Sequence, residues 1–329
     1  MSDFIFKLQE ILPTKQPIKL RNEVDFYGIS HMISTSLNLP FTPRGFSDWH
    51  HGWFHEDLKY IEQFELSSKF KHLVLTDEQQ HLFEENGRCA VAVGAPYIYA
   101  EDFDQTDVHR EPNSLLVMPP HGLWFTNETW DEEAYVKQIC SLKSDFDQIV
   151  ACLHSSCLDK NKWSEKFEEN NIPWIVGADM RDKYALVRMH RIFSSFEYMT
   201  TNCIGSHIAY AAYSGCKVSI FGHYAEWKQE YVKDDPTYLK YPNVMHNYLE
   251  GSSRETVAKN FPFLFVHPKE ASKHIEWAKE ELGSKNKKSY FELAKLIGWL
   301  PHQQVYFWSL KILSKLKKEI SSFRKLKSQ

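Results

Sequence analysis

One segment of the chain has the residue types and spacing of a phosphate-binding turn. Thr201 and Asn202 stand where an apolar strand should end, and Gly205 and Ser206 let the backbone turn tightly into a helix rich in small residues. The first N–H groups of a helix have no intrahelical acceptor and attract anions. We therefore predict that the amides of Gly205, Ser206 and His207, with the Ser206 hydroxyl, bind a phosphate or diphosphate. The alternative is a helix cap with no ligand.

Three further predicted strands end in polar or small residues. In an open parallel sheet, ligands bind beyond the carboxyl ends of the strands, so these endings should converge with the phosphate turn. We expect the residues that bind this ligand to include His121, His154, Ser155 and Gly177. An imidazole of His154 or His207 can also donate a hydrogen bond to a leaving phosphate. The three endings are Pro119-Pro120-His121-Gly122, His154-Ser155-Ser156 and Gly177-Ala178-Asp179.

A second polar and aromatic cluster, Ser47-Asp-Trp-His-His-Gly-Trp53, lies in the first third of the chain. A side chain that accepts a proton near neutral pH suits a general base, so Asp48, His50 and His51 are candidate catalytic residues. The alternative is structural, with Trp49 and Trp53 anchoring a loop that the histidines only hydrogen-bond.

Metal-binding patterns are weak in this sequence. The triplets Asp102-Phe-Asp104 and Asp145-Phe-Asp147 resemble a metal-binding signature, but the second precedes a strand instead of following one. His51 and His55 have the spacing of two zinc ligands on a helix, yet Gly52 occupies the place of the catalytic glutamate. We predict no metal and no cofactor. Walker loops, Gly-x-Ser-x-Gly turns and cysteine clusters are absent from the sequence.

Composition indicates a well-packed protein of about two domains. The chain has 329 residues, 43% of them hydrophobic and 15% aromatic, which excludes general disorder. A formal net charge of −4 argues against nucleic-acid binding. The six cysteines are scattered without a C-x-x-C pair, as reduced thiols are. Neither a signal peptide nor a long apolar run is evident, so we expect a cytoplasmic location.

Alternating apolar runs and helical stretches predict an α/β fold with three regions. We predict an α/β domain at residues 1–112, a second α/β domain with the phosphate turn at residues 113–284, and a helical tail at residues 285–329. The clearest predicted strands cover residues 24–29, 73–75, 89–94, 114–118, 148–153, 173–176 and 217–221.

The tail has the pattern of a basic amphipathic helix. Leu310, Leu313, Ile320 and Phe323 recur at helical spacing, while lysines and Arg324 occupy the other faces. Such a helix, with aromatic residues near its start, is expected to lie on an anionic membrane surface. The alternative is that its apolar face packs on the protein and the lysines are solvated.

The residues of the phosphate turn, from Thr200 to Gly222, resemble the donor-side segment of bacterial surface-polysaccharide glycosyltransferases of GT-B type, found in lipopolysaccharide and capsule clusters. A second similar block is Phe261-Pro-Phe-Leu-Phe-Val-His-Pro-Lys-Glu-Ala271, followed by Glu276-Trp-Ala278 and Leu282-Gly283. The His51-Gly52 pair resembles a strand ending whose histidine faces the cleft in this family. That resemblance favours His51 as the base, with Asp48 and His50 as competitors, and spans roughly residues 20–283.

The resemblance implies two Rossmann-like domains facing a cleft, with residues 1–112 as the acceptor-side domain and residues 113–284 as the nucleotide-sugar-binding domain. It also implies metal-independent transfer of a sugar from the nucleotide-sugar donor. The acceptor would be a surface glycan or a lipid-linked glycan, and the enzyme would sit peripherally on the inner face of the cell membrane. Two other functions stay open. One is a nucleotide-sugar epimerase of the same architecture, and the other is a non-catalytic membrane-associated protein that binds nucleotide-sugar.

Overall fold

The structure is a computed structural model, and it describes residues 3–56, 58–62, 64, 71–122, 126, 128–310 and 312–313. The tail beyond residue 313, with most of its predicted basic face, lies outside the described residues. The described chain is a mixed α/β structure with two parallel sheets. The expected α/β fold class with parallel strands is therefore confirmed.

The first sheet has three short parallel strands in the order β1-β2-β3. Their buried residues, such as Trp49, Leu73 and Ala92, face the protein interior. The strands are β1 (Asp48–Trp49), β2 (His72–Val74) and β3 (Ala90–Ala92).

The second sheet has five parallel strands in the order β6-β5-β4-β7-β8. Strand order reverses between β4 and β7, and in doubly wound sheets this reversal opens a ligand-binding crevice at the carboxyl ends of the two strands. The buried positions of these strands are largely apolar, as expected when helices cover both faces. They are β4 (Glu111–Val117), β5 (Gln148–Leu153), β6 (Trp174–Val176), β7 (Phe196–Thr201) and β8 (Lys217–Ile220).

Helices connect and cover both sheets. The α-helices are α1 (Asp3–Ile11), α2 (Ile29–Ser36), α3 (Asp77–Glu85), α4 (Ala100–Phe103), α5 (Glu132–Cys140), α6 (Ser155–Asp159), α7 (Ser164–Glu169), α8 (Ala185–Ser195), α9 (Ser206–Tyr213), α10 (Gln229–Val232), α11 (Pro236–Lys240), α12 (Pro242–Ser252), α13 (Arg254–Asn260), α14 (Ile275–Glu281) and α15 (Tyr290–Leu296). Short 3₁₀ helices cover Glu23–Gly28, Pro96–Tyr99, Pro262–Leu264, Pro268–Glu270 and Ser284–Asn286.

The predicted strand at residues 24–29 is wrong, because this segment is a 3₁₀ helix leading into α2. Asp25 is fully buried and accepts hydrogen bonds from the Arg21 guanidinium and the Ser30 hydroxyl. These local bonds close a turn around the carboxylate and outweigh the apolar alternation of the sequence.

Segments from both ends of the described chain pack against the sheet that the opposite half of the chain forms. The N-terminal segment packs beside the second sheet, where the ring of Phe4 contacts that of Phe196 and the Lys15 ammonium pairs with Asp179. The segment after α14 packs on the first sheet, where Asn286 donates to the carbonyl of Leu75. One hydrophobic cluster accordingly contains residues of both sheets. The relation between the two sheets is thus set by packed chain segments on both sides.

Candidate functional site

The turn between β7 and α9, here called the 201–207 turn, is held by its own side chains. The imidazole Nε2 of His207 lies 2.9 Å from the hydroxyl oxygen of Thr201, and the amide of Asn202 donates to the carbonyl of His223 at 2.7 Å. Thr201 and Asn202 are buried. The first turn of α9 has no acidic residue, so its N–H groups keep their attraction for an anion.

The loop after β1, residues 50–56 and here called the β1 loop, touches the 201–207 turn directly. The backbone N–H of Trp53 donates to the hydroxyl of Ser206 at 2.8 Å, and the Tyr210 hydroxyl donates to the carbonyl of His51. The carboxyl ends of β1 and β7 therefore meet. A serine hydroxyl has one proton to donate and two lone pairs, so Ser206 can hold the β1 loop and still donate to a phosphate.

His121 and His154 lie together beyond β4 and β5. Their rings stack with centroids 3.9 Å apart and an interplanar angle of 14°. The Nδ1 atom of His154 lies 2.8 Å from the Ser156 hydroxyl, which in turn donates to the carbonyl of Gly122. Ser155, at the start of α6, is half-buried beside them.

Gly177 lies at the end of β6 but offers no free amide. Its N–H donates to the carbonyl of Leu153 at 2.8 Å, and a Cβ placed on it would lie 2.8 Å from the Cys152 sulfur. Its part in any donor site is therefore limited to leaving space for the neighbouring strand. The carboxylate of the next polar residue, Asp179, forms an ion pair with the Lys15 ammonium.

Buried polar atoms without a hydrogen-bond partner concentrate where these loops meet. Such atoms are uncommon in folded proteins, and each one calls for a ligand, a water or a functional role. The atoms in the loops beyond the strands are His51 Nδ1, His55 Nε2, His121 Nδ1, His154 Nε2 and Asn202 Oδ1. Four of the five are imidazole nitrogens, which accept or donate according to tautomer.

Burial keeps these imidazoles neutral at pH 7. Loss of solvation lowers the pKa of His154 and of His207 to about 3, and that of His51 to about 4. Repulsion between the protonated forms of His207, His121 and His55 lowers the pKa of His207 further. A neutral imidazole can donate one hydrogen bond and accept a proton, but it brings no positive charge to a phosphate.

The three predicted base candidates lie in different surroundings. His51 packs its ring against Phe26 and Tyr27, with centroids 5.5 and 5.2 Å away. His50 stacks on Phe54 at 3.9 Å. Asp48 lies in β1 itself, and burial raises the pKa of its carboxyl. The backbone carbonyl of His51 thus contacts α9 next to the 201–207 turn, while the His51 ring lies among aromatic side chains.

The two tryptophans of this segment do anchor it. The indole N–H of Trp49 donates to the carbonyl of Gly94 at 3.0 Å, and that of Trp53 donates to the Glu281 carboxylate at 2.8 Å. The structural alternative therefore describes the tryptophans correctly. It leaves the unpartnered histidine atoms of the loop without an explanation.

Sequence reasoning missed the pair formed by His55 and Glu56. The Nδ1 atom of His55 lies 3.4 Å from a carboxylate oxygen of Glu56, and both side chains are mostly buried. The sequence marks His55 only through its zinc-like spacing from His51. A carboxylate directly after a histidine, just beyond the polar and aromatic cluster, is the signal that could have identified the pair.

The acidic triplets have other partners. Asp104 pairs with Arg191, and Asp102 pairs with Lys287. Asp145 lies 3.8 Å from the ring of His267. Among the residues that the structure describes, no three histidine, cysteine or acidic side chains come together as metal ligands. Metal independence stays a prediction.

The start of the tail is helical over residues 301–310 and packs on the first part of the chain. The ring of Phe307 lies 4.7 Å from that of Phe46, and Gln304 donates to the carbonyl of Arg44. Val305, Tyr306 and Trp308 are exposed. Within the described part of the chain, no helix is long and apolar enough to cross a bilayer.

Comparison with known proteins finds no matching protein family and no matching curated protein. Among solved structures, the chain is similar to the pneumococcal O-GlcNAc transferase GtfA in complex with UDP and GlcNAc, at 12% identity and a TM-score of 0.33, over 76% of this chain and 51% of that one. It is also similar to the GtfA/B complex, at 13% identity and a TM-score of 0.36, over 82% of this chain and 55% of that one. The chain thus spans about half the length of these solved chains. Similarity at this level carries no argument about function.

Proposed function

We propose that the protein is a glycosyltransferase that moves a sugar from a nucleotide-sugar to a glycan or lipid-linked glycan acceptor without a metal. The observation that supports it best is the junction of the β1 loop with the 201–207 turn, through the bond from Trp53 to Ser206. Around this junction lie buried imidazole atoms with no partner. An anion-binding turn beside neutral bases is what transfer from a sugar diphosphate requires.

In this proposal the diphosphate lies over the first turn of α9. The amides of Ser206 and His207 and the Ser206 hydroxyl stabilise the charge that develops on the leaving phosphate. His121 and His154, with Asn202, line the same edge of the sheet. A neutral imidazole of the β1 loop then takes the proton of the acceptor hydroxyl. His51, Asp48 and His50 remain the candidates that the sequence favours for this step.

The donor turn gives the direct test. Ser206→Ala is expected to weaken binding of the cognate nucleoside diphosphate by roughly 1.5–3 kcal/mol, the cost of losing a hydrogen bond to a charged group. Gly205→Val should weaken it further, because a Cβ there would lie 3.1 Å from the His207 ring. Isothermal titration calorimetry with UDP, GDP and CMP measures both. Ser289→Ala, which removes a helix-capping hydroxyl from α15, is the matched control.

Unchanged nucleotide affinity in both turn variants would reject the donor site. Product analysis separates the rival functions. A transferase releases free nucleoside diphosphate or monophosphate, whereas an epimerase returns a nucleotide-sugar of changed configuration. A binding protein without catalysis keeps its affinity and releases nothing over a broad panel of acceptors.

The tail is proposed to hold the enzyme on the inner face of the cell membrane. Truncation after Ser309 keeps the contacts of Gln304 and Phe307, so the shortened protein should stay folded and bind nucleotide. It should lose sedimentation with anionic liposomes, since each basic residue near such a surface contributes about 1 kcal/mol.

Full-length protein carrying Lys315→Glu and Lys318→Glu is the charge control for the truncated form. Its liposome binding should fall at low ionic strength and resemble that of the intact protein at high salt. Intact protein that ignores anionic liposomes would refute the membrane role. In that case the apolar face of the helix packs on protein.

A further inference from the structure

We infer that His55, held by the carboxylate of Glu56, is the general base of the transfer, an inference that rests on the proposed function. The imidazole Nδ1 of His55 faces Glu56 at 3.4 Å, and its Nε2 atom is buried with no partner. A histidine with one nitrogen beside a carboxylate and the other without a protein partner is the arrangement that orients a general base.

The pair is rigidly placed. The side chain of His55 is 6% exposed and that of Glu56 is 13% exposed. Helix α12 packs so closely on Glu56 that a Cβ on Gly251 would lie 2.4 Å from the Glu56 Cβ. The rings of Trp53 and Tyr248 each lie 5.9 Å from the His55 ring. The imidazole is therefore fixed by groups from two separate segments.

The pair also lies next to the proposed donor site. Trp53, two residues before His55, donates its backbone N–H to Ser206. The Trp53 ring lies 5.9 Å from the His55 ring, so one residue connects the imidazole to Ser206. A base beside the first turn of α9 has the position needed to act on an acceptor hydroxyl that attacks the donor sugar.

A cavity of about 440 Å³ lies beside Glu56, the carboxylate neighbour of His55. This cavity opens at the carboxyl ends of β1 and β2, and its walls include Phe54, Glu56, Thr76, Gln79 and Glu281. Carboxylate, amide and hydroxyl groups accept or donate hydrogen bonds to sugar hydroxyls, and Phe54 offers an apolar ring face. The size is in the range of small-molecule sites.

Geometry distinguishes His55 from the base that the sequence favours. Among the described residues, no carboxylate forms an ion pair with the His51 ring, which packs between Phe26 and Tyr27. An imidazolium forming on His51 would thus lack a compensating charge. Burial lowers the pKa of His55 to about 4 and raises that of Glu56 to about 7, so the imidazole is neutral at pH 7.

In the transfer step, the acceptor oxygen forms a bond to the anomeric carbon while the bond from that carbon to the phosphate oxygen breaks. The electron pair of the broken bond leaves with the nucleotide, which the amides of α9 stabilise. The acceptor proton goes to Nε2 of His55, and the Glu56 carboxylate stabilises the resulting imidazolium before the proton passes to solvent.

The experiment compares full-length variants for nucleotide release from UDP-glucose, UDP-GlcNAc, GDP-mannose and CMP-sialic acid, with water and an acceptor panel. His55→Ala and the better-filling His55→Gln should each lower turnover about a hundredfold or more, with nucleotide affinity within about twofold of wild type. Glu56→Gln should lower turnover about tenfold. His246→Ala, an exposed histidine on α12, is the matched control and should match wild type.

The outcomes separate this inference from the function on which it rests. Wild-type turnover in both His55 variants, or a loss confined to His51→Ala, overturns the role of His55 and leaves a glycosyltransferase. Intact protein that binds UDP, GDP or CMP but turns over no donor overturns catalysis as a whole. A chain that binds no nucleotide overturns the proposed function itself.

Discussion

Acidification from pH 7 to pH 5 is expected to lower the free energy of unfolding by on the order of 5 kcal/mol. The cause is burial of neutral histidines, most of them around the site. In the folded protein the pKa of His51, of His55 and of His72 is lowered to about 4, and that of His154 and of His207 to about 3. In the unfolded chain each returns to about 6.5.

Stability falls on acidification because the unfolded chain binds these protons at a higher pH than the folded protein does. A histidine with a lowered pKa in the folded state contributes stability above pH 6.5 and loses it as the pH falls toward the folded value, because the unfolded chain takes up the proton first. Each of the five contributes a loss of roughly 2 kcal/mol over this interval.

Two buried glutamates act in the opposite direction. Burial raises the folded pKa of Glu23 and of Glu56 to about 7, so the folded state takes up protons before the unfolded chain does as the pH falls. Each therefore gains roughly 2 kcal/mol of stability between pH 7 and pH 5. They offset about half of the histidine effect and leave a net loss.

Urea unfolding at pH 7 and pH 5, at equal ionic strength, measures this difference. His154→Asn is an informative variant because it removes one buried imidazole. It should reduce the difference in unfolding free energy between pH 7 and pH 5 by roughly 2 kcal/mol, the contribution of one histidine. Equal stability at the two pH values would mean that these imidazoles are solvated or charged in the folded protein.

The strands and the 201–207 turn were predictable because their signals are local. Strand β5 is one short apolar run. The strand, glycine turn and helix around Gly205 lie within about twenty consecutive residues. The error at residues 24–29 has the opposite origin. There the bond from Ser30 to a buried Asp25 decides the conformation, and hydrophobic alternation does not report it.

The contacts that build the candidate site were not predictable from patterns. Trp53 and Ser206 are 153 positions apart in sequence, and nothing in either loop shows that they touch. Glu56 follows His55 directly, but its fixed position depends on Gly251 in α12. Loops are positioned by tertiary packing, so a sequence can indicate which residues lie at a strand end without showing which of them meet.

Gly283→Ala is expected to destabilise the protein by roughly 2–5 kcal/mol. Gly283 has a positive φ of 65°, which costs an L-residue about 1–2 kcal/mol. A Cβ there would also lie 1.9 Å from the carbonyl oxygen of Leu75, at the end of β2. The backbone of the first sheet would have to move, and overpacking of this kind costs about 1–3 kcal/mol more.

Gly87→Ala is the matched control for Gly283→Ala, because Gly87 also has a positive φ, 69°, but no atom within 4 Å of the added Cβ. The difference between the two variants in urea unfolding isolates the clash with Leu75. Equal losses would show that the segment after α14 is not packed against the first sheet. A larger loss for Gly283→Ala, with weaker nucleotide binding, would show that this packing holds the β1 loop against the 201–207 turn.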